Sequence, residues 1–271
     1  MSGCRPSALV TGGGRGIGRA IAGRLARQGY AIGVLARTAS EIEATAREIR
    51  EVGGEAQAFA ADVLDASGLE RAFARFRAWA GGCDALVCAA ARLRAIGPLE
   101  AVDPEDWWLD LETSVRGAQR AIRLALPALR ESGGASITIL VGPGHNGDLA
   151  FATGYGAAQA ALVRLVESLD REVSAAGIAT FAVFPGLVPT DLIRRLIDSP
   201  EGRRWLPRFL EAFAEGKEVG PEVAAEMVAW LVRQRPAELR GRVVAAPITP
   251  TILETRLDRI RDGDLLRLRL R

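Results

Sequence analysis

Glycines concentrated between positions 12 and 18 give the sequence its clearest chemical signal. They follow an apolar run at residues 7–11 and lead directly into a segment of helical periodicity. Glycine lets a backbone turn sharply, approach a pyrophosphate closely and present amides at the start of a helix. A strand before the glycines and a helix after them therefore predict a phosphate-binding turn. The residues assigned to this turn are Thr11, Gly12, Gly14, Arg15, Gly16, Ile17 and Gly18.

Two side chains further along the sequence are suited to moving a proton, Tyr155 and His145. His145 is the only histidine of the chain and follows an apolar run at residues 136–141. An imidazole titrates near neutral pH, so His145 is a candidate general acid or base, with Asn146 or Asp148 orienting its ring. The alternative is a loop histidine exposed to water.

Seven short apolar runs alternate with longer segments of helical periodicity and supply the scaffold for these residues. Strands with apolar residues on both faces, joined by helical crossovers, are typical of a parallel sheet covered by helices on both faces. With 271 residues, 49% of them hydrophobic, the chain can bury one such core. We therefore predict a single α/β domain with a doubly wound, seven-stranded parallel sheet. The strands are predicted at residues 7–11, 31–36, 55–60, 84–88, 136–141, 178–184 and 242–246.

Two segments depart from this alternation. Residues 190–216 are rich in arginine and aromatic side chains, contain two prolines and follow the sixth predicted strand. Such an insertion forms a substrate lid or, as the alternative, a helical pair packed on the body of the domain. Residues 247–271 alternate leucine with charged residues, which favours an exposed or subunit-contacting extension.

Composition narrows the classes of partner. The 35 basic and 33 acidic residues nearly cancel to a net charge of +2, which favours a small-molecule substrate over nucleic acid. No run of about 18 apolar residues occurs, and residues 1–6 carry no apolar stretch of signal-peptide length, so we expect no membrane contact and a cytoplasmic protein. Cys4, Cys83 and Cys88 are odd in number and lack metal-ligand spacing, which predicts neither disulfides nor a metal site.

The chain resembles the short-chain dehydrogenase/reductase family over nearly its whole length. The family fingerprint Thr-Gly-x-x-x-Gly-x-Gly matches residues 11–18, and further family positions follow the third and sixth strands in the family's order. After the fourth strand the family's Asn-Asn-Ala-Gly is replaced here by Cys88-Ala89-Ala90-Ala91. The resemblance implies a Rossmann-type fold that binds a nicotinamide dinucleotide. The additional cofactor-binding residues that it implies are Asp62, Val63, Ala89, Ala90, Pro185, Gly186, Val188 and Thr190.

Charge at the second strand favours NADP(H) over NAD(H). An acidic residue there would bind the ribose 2′-hydroxyl and repel a 2′-phosphate, whereas this strand is followed by Arg37. Arg15 in the glycine turn lies on the same side. Two guanidinium groups suit a phosphate dianion through bidentate bonds, although solvated surface arginines are the alternative.

The active centre departs from the family pattern of asparagine, serine, tyrosine and lysine. Tyr155 matches the tyrosine, but Gln159 stands at the lysine position, Gly142 at the serine position and Ser114 in place of the asparagine. The candidate catalytic residues are Tyr155, Ser114, His145, Gln159 and Asn146.

Loss of the lysine changes the chemistry expected of Tyr155. A positive charge about 5 Å away lowers a tyrosine pKa by roughly 2 units. Without it, Tyr155 stays protonated at neutral pH, which favours carbonyl reduction over alcohol oxidation. Lys217, the only lysine of the chain, could substitute only if residues 190–216 folded it into the site. Loss of the serine removes roughly 2–4 kcal/mol of transition-state stabilisation unless another donor replaces it.

Three functions follow from this pattern. The first is an NADP(H)-dependent reductase of a small carbonyl or conjugated substrate, with Tyr155 as proton donor. The second is a non-redox enzyme, such as a cyclase, dehydratase or isomerase, that uses the same pocket. The third is a non-catalytic homologue that pairs with an active subunit. The resemblance also implies a homodimer or homotetramer formed through helices near residues 104–131 and 155–175. Val163, Val166, Leu169 and Val173 form an apolar stripe that suits such an interface, although a stripe of this kind is more often part of the chain's own core.

Overall fold

A computed structural model describes residues 5–269 as one α/β domain. Its centre is a parallel sheet of seven strands, as the sequence predicts, and the strand order is β3-β2-β1-β4-β5-β6-β7. The predicted strands match the observed ones to within one residue at each end. The observed strands are β1 Ser7–Thr11, β2 Ala31–Ala36, β3 Glu55–Ala60, β4 Ala85–Cys88, β5 Ala135–Leu140, β6 Ile178–Phe184 and β7 Arg242–Ala245.

Helices connect successive strands and cover both faces of the sheet. The longest, α4, begins at Pro104, and the side chain of Asp103 caps it by accepting a hydrogen bond from the Glu105 amide at 2.8 Å. The helices are α1 Gly16–Arg27, α2 Ala39–Glu51, α3 Ala66–Ala80, α4 Pro104–Glu131, α5 Thr153–Val173, α6 Asp191–Asp198, α7 Pro200–Trp205, α8 Pro207–Ala214, α9 Pro221–Gln234, α10 Pro250–Glu254 and α11 Leu257–Asp262.

The hydrophobic core has one layer on each side of the sheet. Alternate residues of a strand enter opposite layers, so that Val10 packs with α1, α2 and α9 while its neighbour Leu9 packs with α3, α4 and α5. This arrangement explains the continuous apolar character of the strands. Within the described residues, no helix is both long and apolar enough to cross a membrane.

The apolar stripe on α5 belongs to this core. Val163, Val166, Leu169 and Val173 are all buried against the sheet within the chain itself, so the stripe is part of the core, which is the alternative to a subunit interface. Helical periodicity marks a buried face without saying whether the same chain or a partner covers it. Trp108 and Leu109 on α4 do remain exposed, and oligomerisation through α4 stays a prediction.

The C-terminal segment packs on the body of the domain, contrary to the expectation of an exposed extension. Leu253 and Ile260 are buried in the core. The carbonyl oxygen of Leu266 accepts a hydrogen bond from the Val243 amide at 2.9 Å, which covers the edge of the sheet at β7. Arg267 donates to the carbonyl oxygen of Gly241, and Arg269 forms an ion pair with Glu167, so charged residues also bind the segment to its own chain.

Sheet order determines where a ligand can bind. The chain builds outward from β1 to β3 on one side and then restarts at β4 beside β1. In sheets of this kind the two loops at the restart diverge and leave a crevice at the carboxyl ends of the strands. The candidate functional residues must therefore lie close together at the carboxyl ends of β1, β4 and β5.

Candidate active site

One cavity of about 870 Å³ occupies this crevice. It is lined by the loops that follow the first six strands and by α6 and α8. All but one of the cofactor-binding residues expected from the sequence line it, namely Gly12, Gly14, Arg15, Gly16, Ile17, Gly18, Arg37, Asp62, Val63, Ala89, Ala90, Pro185, Gly186, Val188 and Thr190.

The glycine turn leaves no room for side chains of its own. A Cβ atom on Gly18 would overlap the carbonyl oxygen of Gly12, and one on Gly12 would lie 2.8 Å from the backbone of Ala89. Gly12 also has a φ of 67°, a conformation that glycine adopts without strain. Because α1 begins at Gly16, its first amides have no acceptor within the helix. A pyrophosphate fits this backbone cradle.

Thr11 is the exception among the expected binding residues. It is buried and does not line the cavity. Its carbonyl and hydroxyl oxygens instead accept hydrogen bonds from the Ala89 amide at 3.2 and 3.3 Å. Thr11 therefore joins the ends of β1 and β4 and holds the loop after β4 beside the glycine turn.

The arginines expected to bind a phosphate already contact carboxylates. Arg37 Nη1 lies 3.6 Å from Asp62 Oδ2, and Arg15 Nη1 lies 3.5 Å from Glu41 Oε1 and 3.6 Å from Asp191 Oδ2. These exposed pairs are weak and can exchange for a ligand phosphate. Glu41 also lines the cavity, so the charge at this end is more balanced than the arginines alone suggest.

Tyr155, in the first turn of α5, lines the cavity and is 7% exposed. Burial raises the pKa of its hydroxyl above the usual value, and the nearby carboxylate of Asp110 raises it further. The hydroxyl is therefore a neutral proton donor at physiological pH, in the protonation state that the sequence predicts.

Gly142 provides the space in which the Tyr155 hydroxyl lies. A Cβ atom at position 142 would overlap the hydroxyl oxygen and lie 3.0 Å from Cζ of the same ring. The φ of Gly142 is not in the left-handed region, so glycine is needed here for room and not for backbone conformation. The Tyr155 hydroxyl thus occupies the space that a serine side chain at position 142 would need.

Gln159 lies one helical turn beyond Tyr155 and is 1% exposed. Its Oε1 accepts a hydrogen bond from the Gly142 amide at 2.8 Å. Because an amide N–H requires an oxygen opposite it, this bond fixes which end of the side chain carries nitrogen. Within the described part of the chain, the buried Nε2 has no hydrogen-bond partner, although Gln159 lines the cavity.

His145 does not reach the reactive centre. It is buried and does not line the cavity, and its Nδ1 lies 2.9 Å from the carbonyl oxygen of Gly142. Its ring lies 4.8 Å from that of Phe184, and burial lowers its pKa. The general acid or base assigned to His145 is therefore wrong, as is the water-exposed alternative. His145 and Gln159 together hold both backbone polar groups of Gly142.

Three other expected participants also lie elsewhere. Asn146 is exposed outside the cavity. Ser114 is buried, and its hydroxyl donates to the carbonyl oxygen of Asp110 at 3.3 Å, so it bonds within its own helix. Lys217 is exposed just past α8 and forms an ion pair with Glu215, so it does not replace the missing lysine.

A charged cluster beside Tyr155 was missed by sequence reasoning. Arg92 bonds to Asp106 and Asp110, with its Nη1 at 2.5 Å from Asp110 Oδ1. Asp110 is fully buried and its other oxygen accepts the amides of Arg94 and Ala95 at 2.8 Å each. The sequence did hold a signal, because residues 106 and 110 share one helix face at i, i+4 spacing. This cluster fixes the loop after β4 and places a negative charge near the hydroxyl.

A family model described as short chain dehydrogenase matches residues 6–200. The chain belongs to the short-chain dehydrogenase family. The predicted family and Rossmann-type fold are thereby confirmed. The family consists of oxidoreductases that use a nicotinamide cofactor.

Proteins similar to this chain include reductases. The 3-oxoacyl-[acyl-carrier-protein] reductase FabG of Staphylococcus aureus is 34% identical over 194 residues, covering 71% of this chain and 78% of the reductase. Short chain dehydrogenase mpl6 of Monascus purpureus is 28% identical over 276 residues, covering 97% of this chain and 87% of that protein. A variant actinorhodin polyketide ketoreductase crystallised with NADPH superposes with a TM-score of 0.80 at 28% identity, covering 89% of this chain and 95% of its own.

The insertion at residues 190–216 forms α6, α7 and α8 over the cavity. Leu196 and Leu206 are buried against Ala152, and residues of α6 and α8 line the cavity wall. The segment therefore packs on the body of the domain and also lines the pocket. It thus has features of both expected structures, the substrate lid and the packed helical pair. We refer to residues 190–216 as the lid segment.

The described cysteines of the dehydrogenase are structural. Cys88 at the end of β4 is 4% exposed, and burial raises the pKa of its thiol to about 12, as it does for Cys83. Neither thiol is a nucleophile at neutral pH. No metal-binding group of histidine, cysteine or acidic residues is found among residues 5–269, and Cys4 lies outside the described residues.

Proposed function

We propose that this short-chain dehydrogenase binds NADPH and reduces the carbonyl group of a small substrate, with Tyr155 as proton donor. The observation that carries the proposal is the position of the Tyr155 hydroxyl. It lies in the same cavity as the glycine cradle, and its burial favours the protonated state. A reduced nicotinamide bound in the cradle would supply the hydride.

The direction of reaction follows from the protonation state. A neutral phenol can donate a proton to the oxygen of a carbonyl as negative charge develops there. Oxidation of an alcohol needs a base at the same place, and the Asp110 carboxylate opposes ionisation of the hydroxyl. We therefore assign reduction as the catalysed direction.

In this proposal Gln159 replaces the missing lysine in binding the nicotinamide ribose, but not in lowering the pKa of the tyrosine. Its Oε1 is held by the Gly142 amide, and the residue lines the cavity while its buried Nε2 has no partner among the described residues. A buried amide nitrogen without a partner costs about 1–3 kcal/mol, and a ligand oxygen would recover that energy. We assign this donor to a hydroxyl of the nicotinamide ribose.

The Gln159→Glu variant isolates the donor, because it keeps an acceptor for the Gly142 amide and exchanges Nε2 for oxygen. We expect its dissociation constant for NADPH, measured by calorimetry, to rise about 10-fold at pH values where the carboxyl group is ionised. The affinity should recover as the pH falls, because a protonated carboxyl group can donate.

The matched control is Gln159→Met, which removes both polar atoms. It should weaken NADPH binding at every pH without recovery at low pH. Equal NADPH affinity for the wild type and Gln159→Glu across the pH range would show that Nε2 does not contact the cofactor.

NADPH is proposed over NADH because Arg15 and Arg37 line the cavity in weak, exposed ion pairs. The related ketoreductase crystallised with NADPH supports this choice by analogy. Glu41 and Asp62 reduce the positive charge but can rotate away, since Glu41 is bound to Arg15 only across 3.5 Å. The preference thus depends mainly on Arg37, which is 72% exposed at the side chain.

The test combines binding and turnover. The purified chain is mixed with NADPH and a panel of ketones, aldehydes and enones, and loss of nicotinamide absorbance is followed together with product formation. We expect NADPH oxidation to match product. The Arg37→Gln variant should bind NADPH at least about 10-fold more weakly with little change for NADH.

The control for Arg37 is Arg47→Gln, an exposed position on α2 whose ion pair with Glu51 lies outside the cavity. It should bind both cofactors normally. Product formation without cofactor consumption would overturn the reductase proposal in favour of a non-redox reaction.

A further inference from the structure

The cavity wall formed by the loop after β4 and the lid segment is largely apolar. Its members come from two separate stretches of chain that meet only in the folded protein. The apolar residues are Leu93, Ile96, Leu192, Ile193, Leu196 and Phe209. Such a wall excludes water and suits the hydrocarbon or aromatic body of a ligand.

Three arginines interrupt this wall, and we call them the arginine rim: Arg94, Arg195 and Arg208. All three are exposed. Across residues 5–269 no carboxylate lies within ion-pair distance of any of them. By contrast, Arg15, Arg37 and Arg92 of the same cavity each contact a carboxylate. The rim guanidinium groups are therefore available to a ligand.

Acidic residues do not cancel the charge of the rim. Asp106 is bound to Arg92, and Asp191 lies near Arg15 at the glycine turn. Glu201 is the remaining carboxylate in the described lining of the lid wall. This wall therefore carries three unpaired positive charges and one unpaired negative charge. A concave site with an excess of one charge concentrates ligands of the opposite charge.

We infer that the substrate of this cavity joins an apolar body to an anionic group, and that the arginine rim binds the anionic group. The inference deepens the proposed function, because it assumes that the substrate occupies the cavity beside Tyr155. The guanidinium fork binds both carboxylate and phosphate in bidentate fashion. The rim thus selects for substrates whose body enters the cavity while the charge stays at its mouth.

The test uses three probes with one body and different head groups: phenylbutanoate, phenylbutyl phosphate and phenylbutanol. Their dissociation constants are measured by calorimetry on the full chain without cofactor. We expect the two anions to bind at least about 5-fold more tightly than the alcohol at low ionic strength, and the difference to shrink as salt is added. The tighter of the two anions identifies the head group.

Variants assign the effect to the rim. Arg195→Gln and Arg208→Gln should each weaken anion binding about 3-fold and leave phenylbutanol unchanged. Arg194→Gln is the matched control, because Arg194 is an exposed neighbour on α6 that does not line the cavity. All these positions are exposed, and thermal unfolding midpoints verify that the variants fold.

Equal affinity for the three probes, or an equal loss of anion binding in Arg194→Gln and Arg195→Gln, would overturn the inference. None of the probes carries a carbonyl group and no cofactor is present. A reductase assay that fails while the anion preference holds would therefore reject the proposed function alone.

Discussion

Replacing Tyr155 by phenylalanine is expected to lower kcat for NADPH-dependent carbonyl reduction by about 10²- to 10⁴-fold. The variant removes the hydroxyl that is proposed to protonate the substrate oxygen and leaves the aromatic ring in place. The dissociation constant for NADPH should change by less than about 2-fold, since the glycine cradle is untouched. Stopped-flow absorbance for turnover and calorimetry for binding separate the two effects.

The Tyr155 prediction has a pH signature. Because burial and Asp110 raise the pKa of the hydroxyl, the donor stays protonated above the ordinary tyrosine value of about 10. The wild-type reduction rate should therefore stay level from about pH 7 to about pH 10. Tyr30→Phe, at the other tyrosine of the chain, is the control and should retain full activity. A rate that falls with an apparent pKa well below that of free tyrosine would show that another group donates the proton.

Introducing serine at position 142 is expected to reduce activity, although it restores the family's residue. The added Cβ would overlap the Tyr155 hydroxyl and force the ring tip to move. A displacement of about 1 Å at a reacting group can cost about 10²-fold in rate. We therefore expect Gly142→Ser to lower kcat/KM for carbonyl reduction by about 10²-fold, measured by initial rates of NADPH oxidation.

Two controls separate crowding from a general effect of serine in this loop. Gly147→Ser lies in the same loop, where an added Cβ meets nothing within 4 Å, and should retain activity. We expect Gly142→Ser to lower the thermal unfolding midpoint. The double variant with Tyr155→Phe should restore the midpoint, because removing the hydroxyl relieves the overlap. An increase in activity on adding the serine would instead mean that the tyrosine moves aside at no cost.

The fold was predictable because its signals are local. Apolar runs located all seven strands to within one residue at each end, and the glycines at positions 12 to 18 located the crevice beside β1. The turn requires close backbone approach, which the residue types themselves reveal. The C-terminal segment was misjudged, and the α5 stripe had two open interpretations, because periodicity shows that a face is covered and not by what.

The chemistry of the site was less predictable, because it depends on which side chains meet. His145 had the right chemistry but lies outside the cavity and binds the carbonyl oxygen of Gly142. The Arg92 cluster joins a strand end to a helix face, and no motif links the two. That Gly142 makes room for Tyr155 could be seen only with the ring in place. Residue types thus indicated the missing groups, whereas packing shows what fills their space.

The exposed Lys217, which directly follows the lid segment, offers an attachment point for a reporter of that segment's position. It is the only lysine among 271 residues, so an acylating fluorophore has a single side-chain amine to modify. Its ion pair with Glu215 is solvent-exposed and leaves the amine reactive. A dye attached there would report by its emission whether α6 to α8 change position when a ligand enters, without any engineered attachment point.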